Sequence, residues 1–229
     1  MRLLRDIKNV MTDSLTENGI YYIHDEVDMM KGYALIVGPP NTPYFGGYYF
    51  FEITYPFNYP HSPPNVKYCT NNNDIRFHPN LYRCGKVCIS LLNTWKGAQW
   101  TSCQTISTVL LTLCMLFCTD PLLNEPGIRK SDNDINPYNE IIEYANFDIA
   151  VCDIIFKHSN LFMPFFELFS TIIKDTFQKN YNTLLEIAEN KYNMYKNPAY
   201  IRTVIYSLTV RVDYEMVINK LIEAKKVIN

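Results

Sequence analysis

The chain has 229 residues, 48% of them hydrophobic, with 7 cysteines and a formal net charge of -2. Such a composition can bury a full core and argues against wholesale disorder. Near-neutral charge, without long single-sign blocks, gives no electrostatic basis for binding nucleic acid. The cysteine count is odd and lacks framework spacing, and Met1 to Asp6 lacks the apolar run of a secretory signal. The longest apolar stretch, Val109 to Cys118, falls short of the ~20 residues that cross a bilayer. The expectation is a soluble intracellular protein with free thiols, not a membrane protein, in the cytoplasm and with the nucleus open as a second location.

Arg2 to Met11 is predicted as a short helix bearing Arg2, Arg5 and Lys8, with Leu4, Ile7 and Met11 turned inward. Three runs rich in aromatic and β-branched residues follow, Tyr33–Val37, Tyr48–Tyr55 and Val66–Cys69, and read as strands. Gly38-Pro39-Pro40 and Gly46-Gly47 punctuate them, which suits an antiparallel meander. Tyr55 to Pro64 holds four prolines and reads as a rigid connection or sheet edge, with a cis Tyr59–Pro60 bond expected.

From Asn71 to Trp100 the pattern is irregular, and irregular segments of that length are often functional. Thr101 and Gln104 have capping-box spacing ahead of an apolar helix through Phe117, expected to be buried on all sides. Asp120-Pro121 ends it. Asn136-Pro137 is expected to open a helix through about Phe156, and Phe165–Lys179, Tyr181–Tyr195 and Tyr214–Ile228 are further helices. A soft boundary near Gly127–Asn136 divides residues 1–130 from a helical extension, 131–229.

Chemistry concentrates between His78 and Cys88. A cysteine in irregular backbone beside Arg83 and Lys86 is a candidate nucleophile. The Asn80 amide is a candidate donor to an oxyanion, where losing one donor typically costs ~10²–10³ in rate. Asp120 is a candidate for orienting or deprotonating an incoming amine. On the residues alone other readings stay open. Most cysteines are core residues, a histidine before proline often only holds a loop, and Asp-Pro often only stops a helix. Cys69, His78, Cys84 and Cys88 could supply four metal ligands, but without paired knuckle spacing. Cys88 with His78 could instead be a hydrolase pair.

His78-Pro79-Asn80, Gly85 and Val87-Cys88 resemble the active-site signature of ubiquitin-conjugating enzymes. Gly38-Pro39-Pro40-Asn41-Thr42-Pro43-Tyr44-Phe45-Gly46-Gly47 is similar to that family's hairpin, and Tyr59-Pro60 with Pro63-Pro64-Asn65-Val66 to its proline-rich strand exit. Trp100 before an apolar helix matches its post-catalytic helix. Val27–Lys31, the insert Asn93–Trp100, Asn124–Gly127 and Ala150–Asp153 further resemble the Z-type members, which carry a helical C-terminal extension.

The resemblance implies an α+β ubiquitin-conjugating fold: an N-terminal helix, a four-stranded antiparallel meander, a central helix, and the extension packed on or beside the core. It implies that an activating enzyme passes ubiquitin, or a ubiquitin-like modifier, to Cys88, from which a substrate lysine or a ligase takes it. Asn80 becomes the oxyanion or loop-stabilising residue, His78 the holder of the loop, and Asp120 the residue facing the incoming lysine. Leu122 and Ser90 fall at the substrate gate, and Arg2, Arg5 and Lys8 on the face that docks the activating enzyme. His61 and Ser102 fall on the expected ligase surface, where they depart from the family's large apolar residue and Ser-Pro-Ala. Ser90 likewise stands where many members have aspartate. No cofactor or metal is implied, ATP being used by the activating enzyme; no Gly-x-x-x-x-Gly-Lys-Ser/Thr run is present. A non-catalytic ubiquitin-binding variant of the fold is the alternative.

Overall fold

The computed structural model describes residues 2–71, 74–158 and 161–229. Helix α1 (Arg2–Thr12) leads through a short turn to an antiparallel meander of β1 (Ile20–His24), β2 (Lys31–Val37), β3 (Tyr48–Thr54) and β4 (Asn65–Tyr68), in that spatial order. The register runs Ile20↔Ile36, Leu35↔Phe50 and Ile53↔Val66. Strand β1 lies outside the three runs expected as strands, although Ile20-Tyr21-Tyr22-Ile23 carries the same aromatic and β-branched signal.

The inward face of α1 differs from the expected one. Ile7 and Val10 are buried with Asp6, whereas Leu4 (53% exposed) and Met11 (61%) face outward. The helix is rotated because Asp6 is held in the interior. Both its oxygens lie 2.8 Å from Arg2 Nε, and the Tyr59 hydroxyl donates to Oδ2 at 2.7 Å. Tyr59–Pro60 is a cis bond.

Helix α2 (Ile106–Leu116) starts later than the capping-box spacing indicated. Its N-cap is Thr105, whose hydroxyl accepts from the Thr108 amide; Gln104 instead accepts from the Thr101 amide at 2.9 Å. Nor is α2 buried all round. Ile106, Val109, Leu110 and Leu113 form the inner stripe, while Met115 is 73% exposed. Beyond it, α3 (Ile135–Ala145) continues into a wider, π-helical stretch over Asn146–Asp153. The two helices expected at 165–195 are a short turn, Pro164–Phe169, and one unbroken helix α4 (Ser170–Tyr195). No glycine or proline interrupts residues 170–195, and Ile173, Phe177, Tyr181, Leu184 and Ala188 make one buried stripe. A hairpin of β5 (Ala199–Arg202) and β6 (Thr209–Val212), not anticipated, precedes α5 (Tyr214–Ile228).

Strand β3 is buried on both faces, which is why it reads as a continuous apolar run. On one face Tyr49 stacks on Phe117 with ring centres 4.4 Å apart. On the other, Phe50 stacks on Phe166 at 3.8 Å, Tyr33 stacks on Phe165 at 4.5 Å, and the Tyr48 hydroxyl donates to the Ile173 carbonyl at 3.0 Å. Buried Asn146 donates to the Phe45 carbonyl at 2.9 Å and accepts from the Tyr49 hydroxyl at 2.6 Å. Gly47 leaves room for this, since a Cβ there would lie 1.9 Å from Asn146 Oδ1. Residues before and after 131 therefore share one hydrophobic core. Truncating Phe166, fully buried against β3, is expected to cost about 3–5 kcal/mol. Denaturant unfolding of Phe166→Ala should show that loss in a single transition, because core and extension bury the same surface.

Candidate active site

The active-site segment folds back on β4. The Tyr68 amide donates to the Gly85 carbonyl and the Tyr82 amide to the Lys86 carbonyl, making a small flap between Asn80 and Cys88. Gly85 sits at φ +87, and a Cβ there would meet the Tyr68 carbonyl oxygen at 2.9 Å, so this turn requires glycine. The flap closes on itself. The Cys88 amide donates to the Asn80 carbonyl at 2.9 Å, and Asn80 Nδ2 donates to the Cys88 carbonyl at 2.6 Å.

Cys88 is 4% exposed, and its thiol donates to the Thr94 carbonyl at 2.8 Å. The Thr94 hydroxyl lies 3.0 Å from the Val87 carbonyl, the Ile89 carbonyl and the Ile89 amide, which fastens the insert beside the sulfur. Asn93 completes the anchor by accepting from the Trp100 amide at 2.9 Å. The basic neighbours behave differently from expectation. Arg83 and Lys86 are exposed, and among the described residues neither has a hydrogen bond or ion pair to Cys88; Lys86 lies instead over the Tyr82 ring at 5.8 Å.

His78 is fully buried, and its Nδ1 accepts from the Asn80 amide at 3.0 Å. That bond requires the tautomer protonated at Nε2. The imidazole holds the turn next to Asn80, and the partner of the Cys88 thiol is Thr94, so no Cys88/His78 nucleophile–base pair exists. Cys69 lies elsewhere, with burial pushing its thiol up to about 12, and no group of three or more possible metal ligands occurs among the described residues.

Asp120 is half-buried at the start of the turn Pro121–Asn124, and Asn139 of α3 donates to its Oδ1 at 3.2 Å and to the Thr119 carbonyl at 3.1 Å. Sequence reasoning missed Asn139, since nothing in the pattern tied α3 to this carboxylate. Leu122 has no exposed surface, so it can shape the gate only from beneath. Ser90 is hemmed in by Gly97, where a Cβ would come 3.0 Å from the serine Cβ.

The expected docking faces separate into free and committed residues. Arg5 and Lys8 are exposed on α1. Arg2 is committed: besides Asp6 it donates to the Ser102 and Gln104 carbonyls at 3.1 Å, joining α1 to the loop before α2. His61 and Ser102 are exposed. Phe57, on the same proline-rich connection as His61, is a large apolar side chain standing fully exposed.

Burial, aided by the nearby Arg76 charge, pushes the His78 imidazole down to about 3. An unfolded histidine takes up its proton near pH ~6.5. Between those values the unfolded chain binds the extra proton, so this contribution to stability is complete above the unfolded value, is lost progressively as pH falls below it, and is gone once pH has passed the folded one. From pH ~7 to ~4.5 the native protein should therefore lose about 2–3 kcal/mol more than His78→Gln. Urea midpoints at the two pH values measure this, and equal losses would contradict it.

Residues 2–143 match the ubiquitin-conjugating enzyme family. Ubiquitin-conjugating enzyme E2 Z of Homo sapiens is 43% identical over 156 residues, covering 67% of this chain and 44% of the human protein. The protein of the same name from Xenopus tropicalis is 36% identical over 191 residues, covering 77% of this chain and 60% of its own length. The chain thus spans about half the length of these relatives. Among solved structures, a Plasmodium yoelii chain described as a ubiquitin conjugating enzyme shares the fold with a TM-score of 0.52 and 26% identity, covering 65% of this chain and 93% of that one. With the family's signature built into one closed flap around Cys88, and with this extent of match, the chain belongs to the ubiquitin-conjugating enzyme family and resembles its Z-type members.

Proposed function

We propose that the chain accepts ubiquitin, or a ubiquitin-like modifier, from an activating enzyme as a thioester on Cys88 and passes it to a substrate lysine or to a ligase cysteine. The observation that carries this reading is the Asn80–Cys88 flap, which sets a cysteine and a side-chain amide on one rigid turn. In loading, the Cys88 thiolate attacks the thioester carbonyl on the activating enzyme and that enzyme's thiol leaves. In transfer, an amine attacks the new thioester, an isopeptide bond forms, and the Cys88 thiolate is released. Asn80 Nδ2, bonded to the Cys88 carbonyl at rest, is the donor available to the oxyanion once it turns from that carbonyl. Asp120, steadied by Asn139, orients the attacking amine and takes up its proton. Loading requires the Thr94 carbonyl to release the sulfur, so Thr94, within the insert Asn93–Trp100, must move aside.

Exposed Arg5 and Lys8 support docking of the activating enzyme on α1, with Arg2 shaping that face from within. Fully exposed Phe57, on the same connection as exposed His61, supports a ligase surface built around an aromatic anchor, with exposed Ser102 a further candidate for it. The reaction needs no cofactor or metal on this chain, ATP being used by the activating enzyme. All seven cysteines are free, which supports work in a reducing compartment, the cytoplasm or nucleus. No helix among the described residues is long and apolar enough to cross a membrane.

A charging assay tests the function. With ATP, modifier and activating enzyme, the chain should shift on a non-reducing gel, and thiol reductant should remove the shift. Cys88→Ala should abolish it, and Cys88→Ser should make it resistant to reductant. No shift with any activating enzyme and modifier would leave a binding module of the same fold.

A further inference from the structure

The segment after Asn136 touches the active-site segment through an arginine. The connection between β5 and β6 lays Tyr206 against Arg76, whose guanidinium carbon is 4.3 Å from the centre of that ring and 4.1 Å from the centre of the Tyr82 ring. The cation is thus held between a ring of the extension and a ring of the flap that joins Asn80 to Cys88. The guanidinium also donates to the carbonyl of Pro79, the residue before Asn80, and the Arg76 carbonyl accepts from the Tyr138 hydroxyl of α3 at 2.6 Å.

The hairpin connection is built to put the ring there. Tyr206 has φ +61, a left-handed conformation that residues with a Cβ seldom adopt. Its neighbours are pinned: the Ile205 amide donates to Asp134 Oδ2 at 2.7 Å, the Thr203 hydroxyl to the Ile205 carbonyl at 2.7 Å, and the Tyr206 hydroxyl to Glu125. Backbone held in such a region by surrounding bonds marks a place where the ring's position matters.

We propose that Tyr206 is a positioning residue for the transfer step: acting through Arg76, the C-terminal extension fixes the Pro79–Asn80 backbone and the Tyr82 flap, and so the place from which the Asn80 amide meets the oxyanion. The proposal rests on the carrier reading of Cys88. Loading also depends on the docking faces of the activating enzyme, which Tyr206 does not touch, whereas transfer to a free amine has only the groups around Cys88 to place it. Loss of the ring therefore separates the two steps.

The test follows one preparation through both steps: the loading rate, then single-turnover discharge of the purified thioester to free lysine, with a melting temperature for each variant. Tyr206→Ala is expected to slow discharge about tenfold, the scale of losing a partly desolvated cation–ring contact, with loading within about twofold of the native rate. Tyr206→Leu, which keeps apolar bulk but no ring face, should behave like Tyr206→Ala, and Tyr206→Phe should restore discharge. Tyr200→Ala, exposed on the same hairpin, controls for general disturbance. In the Arg76→Ala background Tyr206→Ala should add nothing. Unchanged discharge in Tyr206→Ala, or equal losses in both steps tracking a lowered melting temperature, would overturn the proposal while the carrier reading stands. A native chain that never forms the thioester would overturn both.

Discussion

The reciprocal pairing of Asn80 with Cys88 is the constraint on which the rest of the site depends. Amide to carbonyl in one direction and side-chain amide to carbonyl in the other, it fixes nine residues of irregular backbone into one turn. The surrounding features serve that turn. Gly85 allows the flap to lie on β4, His78 satisfies the Asn80 amide from within the core, and Thr94 closes the exit side of the cysteine. Gly85 and His78 are buried, Asn80 is half-buried and Thr94 is exposed, so the turn is held most firmly on its inner side.

The turn is rigid because the sheet behind it is packed on both faces. Tyr49, Phe77 and Phe117 fill one side, and Phe165, Phe166 and Phe169 of the extension fill the other. Without the extension, Tyr48 and Phe50 would face water. The extension is tied on by polar groups as well as by apolar area: Asn146 to the hairpin at 45–49, Lys191 to Glu140 and Glu143 between α4 and α3, and Lys220 of α5 to Asp148 and Asp153. Asp6, Arg2 and Tyr59 make a similar tie, joining α1, the proline-rich connection and the loop before α2.

Much of this was legible in the sequence, for physical reasons. Strand periodicity, the proline-rich connection and the flap glycine are local properties, and so is the His78-to-Cys88 spacing. The misses arise where one residue answers to distant partners. The face of α1 follows from burying Asp6 against Tyr59, which no periodicity within residues 2–12 reveals. Arg2 reads as a surface cation in sequence but spends its donors on carbonyls 100 residues away. Asn139 supports Asp120 from the far side of a boundary drawn near 130. The large apolar position of the ligase surface was expected at His61; Phe57 lies four residues earlier, and only the fold shows it standing in solvent. Strands β1, β5 and β6 are runs of four or five residues, no shorter than β4, and their alternation was as legible as that of β4.

The most direct test is to identify which of the seven cysteines holds the modifier. After charging and an acid quench, free thiols are blocked under denaturing conditions. The thioester is then cleaved with neutral hydroxylamine, and the freed thiol is labelled with a second reagent and located by peptide mass spectrometry. The account predicts the second label on Cys88, the cysteine enclosed by Asn80 and Thr94. A second label on exposed Cys84 or Cys103, with Cys88 carrying only the first, would contradict it.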